Sequence, residues 1–317
     1  MPLKLRLLLF YLNYIAKQLD YTKLDAPTVR KINQSEFHKV DRVIDYPPEP
    51  MDKVWDEEIP VRDGTKIPIR VYQPVAEEGL PLIVFYHGGG FVTRSIDTHD
   101  KACRRIAKQN RAVVVSVGYR LAPEFKFPIP VHDCYDACCW AAGEANRLGA
   151  DANKLVLMGD SAGGNLAAVA CILARDNNGP KIKAQVLIYP TVDGRLISPT
   201  IDEYAAGYLL TKPLMQWFVN HYKRTEADVE DPLMSPILTE NLADLPPAYI
   251  STAEYDPLKG EGADYSKRLQ EAGNTVFFRD YKGVIHAFLN LPKITVKASQ
   301  QMMNDIQQFL QNTLDAA

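Results

Sequence analysis

Five consecutive residues, Gly159, Asp160, Ser161, Ala162 and Gly163, place one serine hydroxyl between two glycines. The apolar run Lys154 to Met158 precedes them and reads as a buried strand, and the small-residue run Gly164 to Ala174 follows with helical propensity. A sharp strand-to-helix turn strains the serine backbone, and glycine neighbours leave room where a side chain would clash. Ser161 then projects its hydroxyl at the positive end of the following helix. The chemistry implied is nucleophilic attack on an acyl carbon. That reaction also needs a base, a group that orients the base, and donors for the oxyanion that develops.

His87, Gly88, Gly89 and Gly90 directly follow a second apolar run, Leu82 to Tyr86. With no side chains in the way, the amides of Gly88 and Gly89 can approach a reacting carbonyl, and the Ala162 amide supplies a third donor. His87 reads as an orienting residue of that loop. Of the six histidines, His38, His132 and His221 fall in helical stretches, His99 at a helix start and His87 in the glycine turn. His286, in the loop Gly283 to Phe288, remains as the base. Asp256 follows the apolar run Pro247 to Thr252 and precedes that histidine, which suits an orienting carboxylate; Glu254 and Asp280 stay open as rivals.

The elements that must hold these residues alternate along the chain. Residues 1–45 read as helical. Trp55–Ile59 and Ile67–Tyr72 form an opening antiparallel pair, followed by strands at Leu82–Tyr86 and Ala112–Val117. Between the last two, Asp97 or Thr98 caps a helix that reaches Gln109. A helix over Pro130–Leu148 carries His132 with Asp136 and Cys134 with Cys138 at four-residue spacing. Inward packing of its Cys and Trp140 face is the favoured reading over metal ligation. Beyond the serine turn, Ala184–Tyr189 reads as a strand. The segment from Thr191 to about Thr225 then interrupts the alternation with a helix near Lys212–Tyr222. A strand at Pro247–Thr252, a helix at Leu258–Ala272, a strand at Thr275–Tyr281 and a closing helix striped by Ile294, Ala298, Met302, Ile306 and Leu310 complete the chain.

The chain has 317 residues, 46% hydrophobic, enough for a large α/β domain. Lys and Arg total 36 against 39 Asp and Glu, a net charge of −3, so no basic excess points to nucleic acid or an anionic membrane surface. Five cysteines, an odd number set mostly in apolar helical runs, suggest reduced thiols and a cytoplasmic protein. Leu5, Leu8, Leu12, Ile15 and Leu19 recur at helical spacing, which indicates an amphipathic helix packed on the protein rather than a cleaved leader or a stable membrane insertion.

Taken together, the segments His87 to Phe91, Tyr119 to Glu124, Gly159 to Gly163, Asp231 to Pro236, Asp256 to Leu258 and Gly283 to Phe288 resemble those of the hormone-sensitive-lipase-like carboxylesterases. This is the bacterial family IV of the α/β-hydrolases, and the resemblance runs from about residue 50 to the end. It implies an α/β-hydrolase fold with a mostly parallel eight-stranded sheet and helices on both faces. Residues 1–45 and 191–225 would form a helical cap on a catalytic core of residues 46–190 and 226–317. It further implies Ser161 as nucleophile, His286 as base and Asp256 as orienting acid, with Gly88, Gly89 and Ala162 as oxyanion donors. The activity implied is hydrolysis of esters with short to medium acyl chains, with no cofactor or metal, often by a homodimer. A non-catalytic small-molecule receptor on the same fold and an amidase are the alternatives. Tyr204, Tyr208, Leu209, Leu210, Trp217 and Phe218 would either shape the pocket or form the cap's own core. Two departures stand out. Arg94 replaces a glycine common in the family, which alters the pocket mouth or brings a cation near an acidic substrate. Lys259 with Gly260 replaces the usual Arg and Asp after the acid, which puts in doubt a supporting salt bridge but not the triad.

Overall fold

β-branched and aromatic runs take up the strands of this protein, and the amphipathic and small-residue runs between them form its helices. The computed structural model describes residues 1–15 and 20–315, apart from the side chains of residues 15, 34 and 36–41. In chain order the elements are α1 (Leu3–Phe10), α2 (Ala26–Ile44), β1 (Lys53–Pro60), β2 (Lys66–Gln73), β3 (Leu80–Tyr86), α3 (Ile96–Asn110), β4 (Val113–Val117), α4 (Ile129–Gly143), β5 (Ala150–Asp160), α5 (Ala162–Asp176) and β6 (Ala184–Ile188). There follow α6 (Pro199–Glu203), α7 (Lys212–Tyr222), β7 (Ala248–Tyr255), α8 (Lys259–Glu271), β8 (Val276–Ile285) and α9 (Val296–Leu314).

The eight strands form one sheet in the order β1-β2-β4-β3-β5-β6-β7-β8. β2 runs antiparallel to β1 and β4, and every other neighbouring pair is parallel, as expected. Side chains alternate across the pleat, so each central strand feeds two cores. Leu82, Val84 and Tyr86 of β3 pack with α4, α5 and α8 on one face. Ile83 and Phe85 pack with α3 and α9 on the other. Strands covered on both faces favour apolar residues, which is why β3, β4 and β6 read as mainly hydrophobic runs, with Ser116 and Gln185 the buried polar exceptions in β4 and β6.

Several boundaries differ from expectation for local reasons. α3 starts two or three residues earlier than expected and is capped by Ser95 rather than by Asp97 or Thr98; Thr98 Oγ1 instead accepts from the Ser95 amide at 3.0 Å. α4 stops at Gly143, five residues short of Leu148, and the chain turns through a left-handed Gly149 into a longer β5. β8 continues to Ile285 because Tyr255 of β7 pairs with it beyond a register shift. On α4, Cys134 and Cys138 are buried, while Asp136 takes up Arg62 in an ion pair at 2.7 Å.

At the N-terminus, α1 buries Leu5 and Leu9 against Ile285 and Leu291. A π-helical turn at Tyr11–Ile15 breaks the expected stripe, leaving Leu8 and Leu12 half-buried. Leu19 and the Ile15 side chain lie outside the described residues. Among the described residues no helix is long and apolar enough to cross a membrane. α2 is fastened to the core by Arg30. Its guanidinium donates to both Glu124 oxygens at 2.9 and 2.6 Å and to the carbonyls of Val92 and Ala122.

Where β6 gives way to the segment carrying α6 and α7, Glu261 of α8 is fully buried, its Oε1 accepting from the amides of Val192 and Asp193 at 2.8 and 3.4 Å. Burial pushes this carboxyl up to about 8, against the opposing hydrogen bond from Val192. The folded chain therefore holds the proton up to about pH 8, whereas the unfolded chain releases it near its ordinary value of 4.5. Stability falls as pH rises through that window, on the order of 1 kcal/mol per unit from this group. In denaturant titrations at pH 5 and pH 8, Glu261→Gln should flatten this part of the pH dependence and gain on wild type at the higher pH; an unchanged slope would contradict it.

Candidate active site

β5 ends at Asp160, and the chain reverses into α5 within one residue, Ser161, whose φ of 55° and ψ of −119° lie outside the regions open to ordinary side chains. Such a backbone costs about 1–3 kcal/mol and persists only where its surroundings enforce it. Here they do. The Ser161 amide donates to Ile188 O of β6 at 2.9 Å, and Asn165 donates through its side chain to Thr191 O and Met234 O at 3.0 and 2.9 Å. A β-carbon on Gly159 would strike the Gly163 carbonyl, and one on Gly163 would strike Tyr86 O at the end of β3. The two glycines flanking the turn are thus required by close backbone approach.

Ser161, His286 and Asp256, 125 and 30 residues apart along the chain, form one hydrogen-bonded relay. Ser161 Oγ lies 2.9 Å from His286 Nε2, and His286 Nδ1 lies 2.8 Å from Asp256 Oδ2. Asp256 is fully buried and also accepts from the Leu258 amide at 2.9 Å. Because the carboxylate can only accept, it assigns the proton to Nδ1 and leaves Nε2 free to accept from the serine. The Tyr189 ring packs edge-on against the imidazole at 4.8 Å. The rival carboxylates are engaged elsewhere: Glu254 accepts from the Gly283 amide at 2.6 Å, and Asp280 pairs with Lys282 and Lys259 at 2.6 and 3.4 Å. Lys259 thus makes a salt bridge, to Asp280, at a position where a supporting one was in doubt. Gly260 fits under Ser198 and Thr200 of the α6 segment, with its amide donating to Thr200 Oγ1 at 3.0 Å.

The glycine loop corrects one expectation. The Gly88 amide donates to Asp160 Oδ1 at 2.8 Å and is spent there, so it is not an oxyanion donor. All three glycines of the loop line the same cavity as Ser161 and His286, so Gly89 and Gly90 are the ones whose amides are not taken up by Asp160, and Ala162 opens α5 beside the nucleophile. Asp160 is the residue that sequence reasoning passed over. Buried beneath the loop, it accepts from Gly88, lies 3.2 Å from His99 Nε2 and 3.4 Å from Tyr189 Oη. Burial alone would raise its pKa, but His99 and the Gly88 amide outweigh burial and hold it below the usual carboxylate range. His87 stacks on Tyr119 at 4.4 Å and lies 2.7 Å from Gly88 O through Nδ1, and the Tyr119 hydroxyl donates to His87 O at 2.7 Å. Burial and the neighbouring His99 push its pKa down to about 3, so it is a neutral donor that shapes the loop, as expected. The signal for Asp160 was its place inside the serine pentapeptide, but nothing local says which backbone it anchors.

These groups open into a cavity of about 330 Å³. Its upper wall is apolar: Leu209, Leu210, Leu214, Met215, Phe218 and Val219. The aromatic and aliphatic residues singled out from sequence divide. Leu209, Leu210 and Phe218 face the cavity, with Phe218 lying over Gly90. Trp217 is buried against Phe218 and His221, and Tyr204 and Tyr208 pack with Tyr255. Residues before β1 also reach the cavity, among them Leu12, Tyr21, Val29 and Asn33.

Comparison with known proteins places this arrangement in context. A family model described as the alpha/beta hydrolase fold matches residues 83–290. An arylesterase of Saccharolobus solfataricus is 40% identical over 88% of this chain and 90% of its own length. A carboxylesterase of Mycobacterium tuberculosis is 39% identical over 82% of this chain and 83% of its own. Among solved structures, a hyperthermophilic esterase from Pyrobaculum calidifontis superposes with a TM-score of 0.90 at 42% identity, covering 98% of this chain and 99% of that one.

Asp160 holds the loop without touching the reacting atoms. Asp160→Ala should therefore lower kcat for a neutral ester by roughly 100-fold with a smaller change in KM, since oxyanion contacts mature in the transition state. Steady-state kinetics checked against an unchanged near-ultraviolet circular dichroism spectrum would read this. Loss confined to KM would refute it.

Proposed function

This chain belongs to the α/β-hydrolase family and is a carboxylic ester hydrolase, and on that premise we propose that it acts as a serine esterase through a covalent acyl-enzyme on Ser161. The observation that carries the reading is the Ser161–His286–Asp256 relay opening into an apolar cavity. Ser161 Oγ attacks the ester carbonyl while its proton passes to His286 Nε2, and the carbonyl π electrons move onto oxygen. The amides of Gly89, Gly90 and Ala162 donate to that oxyanion, each worth about 3 kcal/mol of barrier. Asp256 accepts from Nδ1 and stabilises the imidazolium. Collapse of the tetrahedral intermediate breaks the ester C–O bond, and the leaving alkoxide takes the proton from Nε2. Water then repeats the sequence, with His286 as base, releasing the acid and restoring Ser161.

A cavity of about 330 Å³ with an aliphatic wall suits acyl chains of short to medium length. The chemistry needs neither cofactor nor metal. A receptor reading is disfavoured by the serine–histidine contact, because an unactivated serine needs no base at 2.9 Å. Amides remain within reach of the same machinery, with a poorer leaving group. Two finer readings have separate support. Phe277 and Phe278, exposed on the edge strand β8, favour a homodimer. Five free thiols, four of them buried, favour the cytoplasm.

Ser161→Ala should reduce turnover of 4-nitrophenyl butyrate by at least about 10⁴-fold while leaving the thermal midpoint within a few degrees. Wild type should be labelled covalently by a fluorophosphonate and the variant should not. Near-normal turnover by the variant would show the nucleophile to be misassigned, and failure of wild type to label would favour a receptor.

A further inference from the structure

Arg94 lines the active-site cavity, and among the described residues it has no counter-ion. It lines the cavity that contains Ser161 and His286, and among the described residues its guanidinium makes no hydrogen bond or ion pair. Its side chain is reached by solvent through the cavity, while the protein around it desolvates the guanidinium enough to lower its pKa. The carboxylate in electrostatic range is Asp160, already committed to the Gly88 amide, His99 and Tyr189.

The position is close to the chemistry. Arg94 Cγ packs against Gly89, 2.8 Å from where a β-carbon on that glycine would stand, so the guanidinium lies three bonds beyond the oxyanion loop. Arg94 is also held at a φ of 71°, a left-handed conformation that disfavours any residue with a β-carbon. A strained cation with no ion-pair partner among the described residues, beside the reacting serine and facing an aliphatic wall, is a ready site for an anionic group of the substrate. Guanidinium meets carboxylate through two parallel N–H donors, with more geometric selectivity than a point charge.

We infer that Arg94 is a specificity residue for esters bearing a second, ionised carboxyl group, which its guanidinium holds while Ser161 attacks the ester carbonyl. This rests on the esterase reading above and adds the substrate class. The substrates that test it differ by one charge. 4-Nitrophenyl hydrogen glutarate carries the carboxylate on the acyl arm, 4-acetoxybenzoate carries it on the alcohol arm, and 4-nitrophenyl butyrate and 4-tolyl acetate are their neutral counterparts.

In wild type the ratio of kcat/KM, anionic over neutral, should exceed one for at least one arm. Raising ionic strength from 50 to 500 mM should lower that ratio severalfold. Arg94→Gln should lower it at least tenfold, and Arg94→Lys should restore part of it. Binding of monoethyl glutarate to Ser161→Ala, followed by calorimetry, should weaken to the same degree when Arg94→Gln is added; this arm needs no turnover. A ratio unchanged within twofold for both arms, with neutral esters still hydrolysed, would overturn the inference. Absence of turnover of the neutral esters by wild type would instead defeat the esterase reading, with the calorimetric arm still deciding the role of Arg94.

Discussion

Three backbones meet at the serine turn, and the space between them admits no β-carbon. The end of β3 lies against Gly163, the start of α5 lies against Gly159, and β6 accepts the Ser161 amide through Ile188. That crowding holds Ser161 at a φ of 55° and aims its hydroxyl out of the sheet instead of into it. Strain of about 1–3 kcal/mol is small beside the burial of five apolar strands around it, so the fold can maintain a conformation that a short peptide would leave at once. Without that crowding the serine would relax, and neither His286 nor the loop amides would find it.

A single buried charge transmits this order to the glycine loop. Asp160 is the residue before the nucleophile, so the rigidity of β5 and the elbow extends to the Gly88 amide it accepts from. His99, presented by α3 on the opposite side, completes the shell. A carboxylate in this setting must be well satisfied, because burying it unpaired would cost several kcal/mol. Its hydrogen bond orders the loop whose next two residues, Gly89 and Gly90, line the cavity. His87 and Tyr119 brace the same loop from behind through stacking and a hydroxyl donated to a backbone carbonyl.

Above the sheet, the roof of the cavity is built from parts far apart in the chain. α7 brings Phe218 over Gly90, α2 is pinned by Arg30 to Glu124 and to the backbone after the glycine loop, and Gly260 of α8 lets the α6 segment settle on it. The resulting wall is aliphatic, which excludes water from the acyl group and strengthens every hydrogen bond made to the reacting carbonyl. Against that wall stands the Arg94 guanidinium, without an ion-pair partner among the described residues, a group that an apolar acyl chamber does not require.

Much of this was legible in the linear string. Mainly apolar runs marked the strands because a strand covered on both faces tolerates few polar residues. α7 emerged with the boundaries expected of it, and the serine between two glycines marked the turn because few residues can occupy such a backbone. Spacing could narrow the base to His286, but three carboxylates stayed open, and only the fold brought Asp256 alone to Nδ1 while Gly283 and the lysines took the others. Tertiary structure also decided which loop amides are available, because the acceptor that consumes Gly88 lies 72 residues away. The division has one physical cause. Local sterics and burial are written in neighbouring residues, whereas a hydrogen-bond partner is set by whichever distant segment the sheet order brings within 3 Å, and no periodicity records that.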